Sequence, residues 1–224
     1  MTSESVQLTD EDKGVFETAR KVFSGELNME QVKDFYDDWV TTYEKDCVPG
    51  RYNAHLLAAE AVNSTYPENR DQIILLDVAA GTGMLGEELL KSGFKHLHAL
   101  DASEGMLNKA KEKDIYEKIY CDFLTENPLP IEQDTYDCSA CSGGFGAGHI
   151  PSGALKELVR LTKPGGMIIF SMREEFLNSE EYRDKLEPMM QQLETSGKWT
   201  REERSVVPNY FCGKNGIVYR FKVI

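Results

Sequence analysis

Residues 73 to 86 restrict the fold more than any other stretch. An apolar run, Ile73-Ile74-Leu75-Leu76, leads straight into Asp77-Val78-Ala79-Ala80-Gly81-Thr82-Gly83-Met84-Leu85-Gly86. Four consecutive branched residues suit a strand covered on both faces, and such strands belong to parallel sheets flanked by helices. Gly81 and Gly83 allow a tight turn and leave room for a ligand where a Cβ would intrude. A helix expected over Met84 to Lys91 would point its unpaired N–H groups back at that ligand. The stretch therefore predicts a place to hold a nucleotide-like molecule.

Gly81-x-Gly83-x-x-Gly86 also satisfies the dinucleotide fingerprint, a pattern that is weak by itself. Asp77 leans away from a nicotinamide cofactor: a carboxylate at the strand end repels a pyrophosphate but can receive an ammonium, directly or through water. The chain is also short for a dehydrogenase with its own substrate domain, and no Tyr-x-x-x-Lys pair occurs between residues 136 and 170. S-adenosylmethionine, which carries an ammonium, a sulfonium and no phosphate, fits these residues better.

Length and charge narrow the classes further. A chain of 224 residues with 41% hydrophobic residues can bury the core of one α/β domain. No apolar run approaches the ~20 residues of a membrane span, and the first thirty residues lack a signal pattern, so a cytoplasmic or nuclear protein is expected. A net charge of -13 argues against a nucleic-acid partner, whose binding depends on lysine and arginine displacing counterions. The first fifty residues hold twelve acidic and five basic side chains, so this end carries much of that charge.

Five scattered cysteines suit reduced thiols. Cys138 and Cys141 spell C-x-x-C in a probable strand, where residues three apart face opposite sides and make a poor redox pair. His55, His96 and His98 lack metal-ligand spacing, so no metal is expected.

Along the chain, Thr9-Asp10-Glu11-Asp12 reads as a helix start, with a helix to about Phe23. Val32, Phe35, Tyr36, Trp39, Val40 and Tyr43 recur at helical spacing between Asn28 and Asp46. Asp101 ends a second strand twenty residues past Gly81, placed to accept the ribose hydroxyls of an adenosyl cofactor. A third strand near Lys118 to Cys121 ends at Asp122-Phe123. A fourth, Tyr136 to Cys141, opens into a loop from Ser142 to Pro151 with four glycines in six positions. That loop lies where ligands bind in open α/β sheets. Lys163-Pro164-Gly165-Gly166 turns into a fifth strand over Met167 to Ser171. Ser179 to Thr195 reads as a helix, and Trp199 to Pro208 with Ile217 to Val223 as an antiparallel pair.

As a set, these features resemble the class I S-adenosylmethionine-dependent methyltransferases. Asp77, Ala79, Gly81 and Gly83 match the acid-x-Gly-x-Gly-x-Gly pattern, with alanine replacing the first glycine. Phe35 to Glu44 is similar to the family's aromatic entry segment, and Leu161-x-Lys163-Pro164-Gly165-Gly166 to its recurrent turn. The match reaches from residue 35 to the end of the chain. It implies a Rossmann-like α/β fold: a seven-stranded, mostly parallel sheet with an antiparallel C-terminal pair and helices on both faces. Residues 1–50 would form a helical cap or lid, and residues 51–224 the cofactor-binding domain.

The resemblance also implies cofactor contacts from Tyr36, Trp39, Tyr43, Asp77, Ala79, Gly81, Thr82, Gly83, Asp101, Ala102, Met106, Asp122, Phe123 and Ser142. Asp122 would accept a hydrogen bond from the adenine amino group while the Phe123 amide meets the ring. His149, in the glycine-rich loop, is the candidate catalytic base, with a structural histidine that fixes the loop as the alternative. The implied chemistry is in-line displacement of a methyl group from S-adenosylmethionine, yielding S-adenosylhomocysteine. A small-molecule acceptor is favoured, a protein acceptor stays open, and no nucleic acid or membrane partner is expected. The alternative is a catalytically silent S-adenosylmethionine-binding partner module.

Overall fold

The computed structural model describes residues 10–224; Thr9, read as part of the first helix start, lies outside the described residues. In chain order the elements are α1 (Asp10–Val22), α2 (Met29–Trp39), α3 (Tyr43–Asp46), α4 (Ala54–Thr65), β1 (Ile74–Val78), α5 (Met84–Lys91), β2 (His96–Asp101), α6 (Glu104–Glu112) and β3 (Lys118–Cys121). There follow β4 (Tyr136–Ser142), α7 (Leu155–Leu161), β5 (Thr162–Arg173), α8 (Leu186–Thr195), β6 (Trp199–Phe211) and β7 (Lys214–Val223).

The strands form one seven-stranded sheet in the order β3-β2-β1-β4-β5-β7-β6. β1 to β5 pair in parallel, and β7 runs antiparallel between β5 and β6. From β1 the chain winds outward to β3, then returns to β4 on the other side of β1. The crevice between the ends of β1 and β4 is the switch point at which doubly wound sheets bind ligands.

Alternation along β1 divides the core. Leu75 points to one face with Ala58, Val62, Leu85 and Leu89 of α4 and α5. Leu76 and Val78 point to the other, with Leu155 and Leu158 of α7 and Leu186 and Met190 of α8. Each fully buried leucine stabilises the fold by roughly 1.5–3 kcal/mol. Cys138 and Cys141 fall into these two separate clusters, so their side chains lie on opposite faces of β4.

The Lys-Pro-Gly-Gly segment, expected as a turn, is the irregular start of β5 and has a local explanation. Lys163 Nζ donates to Asp137 Oδ1 at 2.7 Å, and Asp137 Oδ2 accepts the Ile74 N–H at 2.9 Å, which ties the start of β1 to this segment. Gly165 takes a φ of +83°, and a Cβ on Gly166 would lie 2.8 Å from the Asp137 carbonyl. At the other end of the sheet, Cys212 and Gly213 adopt φ values of 45° and 77°, the two-residue hairpin geometry that matches strand twist.

Two expectations need correcting. The helix read over Ser179 to Thr195 begins only at Leu186, because Pro188 is tolerated only in a first turn; Tyr182 instead is buried and donates its hydroxyl hydrogen to the Ile150 carbonyl at 2.7 Å. β5 is longer than Met167 to Ser171 and ends at Arg173, with Arg173 opposite Gly216 of β7.

Candidate active site

The carboxyl ends of β1, β2, β4 and β5 open into a cavity of roughly 1110 Å³, counting its mouth. α1 and α2 lie across it. Ala19 and Val15 of α1 pack on Tyr210, Phe211 and Ala54. Asp37 of α2 fastens the second contact: its Oδ1 accepts the Ser103 hydroxyl at 2.6 Å and the Gly105 N–H at 2.9 Å, at the first turn of α6. Lys33 lies 3.2 Å from Asp37 Oδ2.

Of the residues anticipated from sequence, Tyr36, Trp39, Tyr43, Ala79, Gly81, Asp101, Ala102, Met106, Asp122, Phe123, Ser142 and His149 line this cavity. Asp77 and Thr82 do not. They line a smaller recess of about 310 Å³ that shares Tyr43, Ala79, Gly81 and Ser142 with the main cavity. Gly83 lines neither space; it is the left-handed N-cap of α5, at φ 89°, with the Tyr116 ring 3.2 Å from where a Cβ would stand.

Asp101 is bound at both carboxylate oxygens. The Gly81 N–H donates to its Oδ2 and the Ser103 N–H to its Oδ1, each at 2.8 Å. An ionised carboxylate offers about four lone-pair sites, so acceptor capacity remains toward the cavity. Ala79 holds a φ of +52°. Alanine thus keeps the left-handed turn that suits glycine, at a cost of about 1–2 kcal/mol.

Asp77 is 1% exposed. Its Oδ2 accepts the Tyr116 hydroxyl at 2.6 Å, while Oδ1 has no hydrogen-bond partner among the described residues. Burial pushes the carboxyl up to about 7, against the opposing hydrogen bond from Tyr116.

Asp122 is exposed, and its Oδ1 takes the N–H of Phe123 at 2.8 Å. The Phe123 amide, expected to meet an adenine ring, is thus turned onto its own neighbour. An amide next to an uncompensated acid closes on it when no other acceptor is near.

His149 is held at both ring nitrogens. Nδ1 lies 2.8 Å from the Ala147 carbonyl oxygen, which only accepts, so Nδ1 carries the hydrogen. Nε2 then accepts the Tyr36 hydroxyl at 3.0 Å. The ring stacks on Phe23 at 4.5 Å. Burial lowers the imidazole to about 4, so it is neutral across the physiological range. Trp39 is likewise committed, its indole N–H donating to Asp46 at 2.6 Å while the ring stacks on Tyr36.

A sequence profile of the family described as "Methyltransferase domain" matches residues 75–166. Methyltransferase-like protein 27 of Homo sapiens is 34% identical over 172 residues, covering 77% of this chain and 69% of the human protein. The chain belongs to the class I S-adenosylmethionine-dependent methyltransferases. The demethylmenaquinone methyltransferase of Clavibacter sepedonicus is 31% identical over 62% of this methyltransferase and 56% of its own length. Among solved structures, a SAM-dependent methyltransferase from Aquifex aeolicus superimposes with a TM-score of 0.61 at 19% identity, covering 84% of this chain and 98% of that one. This last likeness speaks to the fold.

The site of this methyltransferase contains residues that sequence reasoning did not single out. Asp37 was legible only as part of the Tyr36-Asp37 entry segment. Tyr116 reaches Asp77 from the segment before β3, and a Cβ on Gly86 would lie 2.3 Å from its hydroxyl. Arg173, Tyr52 and Phe23 line the cavity without any local pattern that announces them. Among the described residues, no three His, Cys, Asp or Glu side chains gather as a metal site, and no helix is long and apolar enough to cross a membrane.

The Asp37 clip makes a testable joint. Asp37→Ala leaves the Gly105 N–H without its acceptor and frees α2 from α6. Loss of such a charge-assisted contact costs about 1.5–3 kcal/mol. The expected result is cofactor dissociation accelerated roughly tenfold, read by stopped-flow tryptophan fluorescence.

Proposed function

We propose that this methyltransferase acts on a small-molecule acceptor bound in the aromatic half of the cavity, beneath a lid to which the described residues 10–50 of the 1–50 segment contribute. One observation carries the cofactor placement: two acids, Asp77 with an open buried oxygen and Asp101 with spare acceptor capacity, flank one glycine turn. That pair suits an ammonium and a ribose diol, and would repel phosphates. Asp77 with Gly81 and Thr82 would hold the amino-acid end. Asp101, Ala102, Met106, Asp122 and Phe123 would hold the adenosine. Tyr36, Trp39, Tyr43 and Ser142 would border the reactive centre, and Ala79 and Gly83 would shape the turn.

When bound, S-adenosylmethionine supplies a sulfonium methyl group whose leaving group is already activated. What the protein itself contributes is then alignment and exclusion of water. Tyr36 and His149 contribute to both, since the Nε2 lone pair keeps the Tyr36 hydroxyl aimed, and the fixed imidazole is the group that would take a proton through Tyr36. His149→Ala is expected to lower kcat roughly 10- to 100-fold while leaving cofactor affinity within about twofold of wild type. Steady-state kinetics beside a binding titration separates the two.

The small-molecule reading is supported by the net charge of -13 and by a deep cavity walled with aromatic side chains. It also agrees with bacterial relatives named for demethylmenaquinone. Methyl-labelled S-adenosylmethionine should be incubated with the protein and, separately, with small-molecule, protein and nucleic-acid fractions of a cell extract. Label appearing in the small-molecule fraction is expected. Label confined to protein or nucleic acid would overturn the acceptor class, and no label in any fraction would favour the silent binding module.

A further inference from the structure

We propose that Arg173 recognises the acceptor, and that the acceptor is a compact, apolar-bodied molecule bearing an oxyanion, a carboxylate above all. This inference rests on the small-molecule reading of the same cavity and names the substrate class within it.

Arg173 ends β5 at the cavity wall and is 7% exposed. Its guanidinium is held by rings: Cζ lies 3.8 Å from the centroid of Phe211, 4.9 Å from that of Phe23 and 5.1 Å from that of Phe176. These cation–π contacts hold the charged group against the rings in a desolvated setting. They leave its five N–H donors unspent.

No described residue accepts a hydrogen bond from it. The nearest carboxylate, Glu175, lies 3.7 Å away, beyond hydrogen-bond length. Glu175 is also 42% exposed and shared with Lys214 at 3.3 Å. A nearly buried guanidinium without a hydrogen-bonded partner is costly, and more so than a paired one. A partner that arrives with the substrate removes that cost.

Apart from Glu175, which is half-exposed and shared with Lys214, the groups around Arg173 supply no competing anion. Burial keeps the hydroxyls of Tyr36, Tyr52 and Tyr210 protonated far above neutral pH. His149, with Nε2 engaged by Tyr36, adds no charge. Among these aromatic walls Arg173 is a buried cation with only a half-exposed carboxylate near it, whereas Lys33, which also lines the cavity, is taken up by Asp37. A cationic amine would be repelled, a neutral molecule would leave the donors empty, and a planar oxyanion can take two parallel N–H bonds. An acceptor ionised on arrival also asks little of a buried imidazole as a base.

The test is calorimetric, on full-length protein saturated with S-adenosylhomocysteine. Three aromatic carboxylates, benzoate, 2-naphthoate and indole-3-acetate, are titrated beside their isosteric primary amides and beside benzylamine. At least one carboxylate should bind about tenfold or more tighter than its amide, with benzylamine undetected. Arg173→Gln should erase that difference, and Arg173→Lys should retain part of it. Unchanged affinity for S-adenosylhomocysteine certifies each variant as folded. Equal binding of carboxylate and amide in the wild type, a preference that survives in Arg173→Gln, or failure of every carboxylate to bind at millimolar concentration would each overturn the proposal. Those outcomes leave the cofactor reading standing, whereas wild-type protein that fails to bind S-adenosylhomocysteine would refute the function itself.

Discussion

Asp77→Asn is expected to yield a more stable protein that binds S-adenosylmethionine poorly. In the folded chain this carboxyl titrates at about 7 against an ordinary 3.8, because burial disfavours its charge. Between those values the folded state holds a proton that the unfolded state has lost, so stability falls as pH rises through the window. Above pH 7 the buried charge costs on the order of 4 kcal/mol. Asparagine removes that charge and keeps an oxygen for the Tyr116 hydroxyl. At pH 8 the ligand-free variant should gain about 1–3 kcal/mol, since the new amide N–H groups need acceptors and offset part of the gain.

His149 acts with the opposite sign. Its folded value of about 4 lies below 6.5, so stability falls as pH drops through that interval. The two residues oppose each other between about pH 4 and 6.5, and the wild-type profile should be shallow there. Asp77→Asn should expose a profile that rises with pH. Urea unfolding at pH 5 and pH 8, with m unchanged, reads both effects. Cofactor affinity should fall at least about tenfold, and its strengthening between pH 5.5 and 7, roughly tenfold per pH unit for one released proton, should vanish. A variant that binds the cofactor as well as wild type would remove Asp77 from the site.

Asp101→Ala should cost more in binding and should not stabilise. It removes the acceptor proposed to hold the ribose and strips the Gly81 and Ser103 N–H groups of their partner, so the glycine turn loses its brace. Each orphaned donor costs about 1–3 kcal/mol. The expected loss of affinity is about 100-fold or more, equivalent to roughly 3 kcal/mol. Asp101→Asn, which retains one acceptor oxygen, should lie between. Titration of the folded variants, checked by near-ultraviolet circular dichroism, decides it; an alanine variant within fivefold of wild type would contradict the assignment.

What the sequence made legible has a common cause. β1, its glycine turn, and Asp77, Asp101 and Asp122 at successive strand ends could be read because parallel strands carry continuous apolar runs with abrupt polar ends. The two-faced placement of Cys138 and Cys141 followed from the strand period. The unread features depend on geometry that a strand pattern does not carry, some of it contacts between distant segments and some local backbone detail. Arg173 looks like a charged residue past a strand; only Phe23, Phe176 and Phe211, from three separate segments, make it a buried cation. Tyr116 meets Asp77 across 39 residues. Ala79 shows its left-handed backbone only once the turn is built, and the Phe123 amide its partner only once β3 has ended.

The proposed site holds an adenosyl-sulfur cofactor between Asp77 and Asp101. Its most direct test is calorimetric titration of the purified full-length protein with S-adenosylmethionine, S-adenosylhomocysteine and NADH. Saturable binding of the first two, one per chain, with no heat from NADH, is the predicted result. Folded protein that binds neither sulfur compound would contradict it.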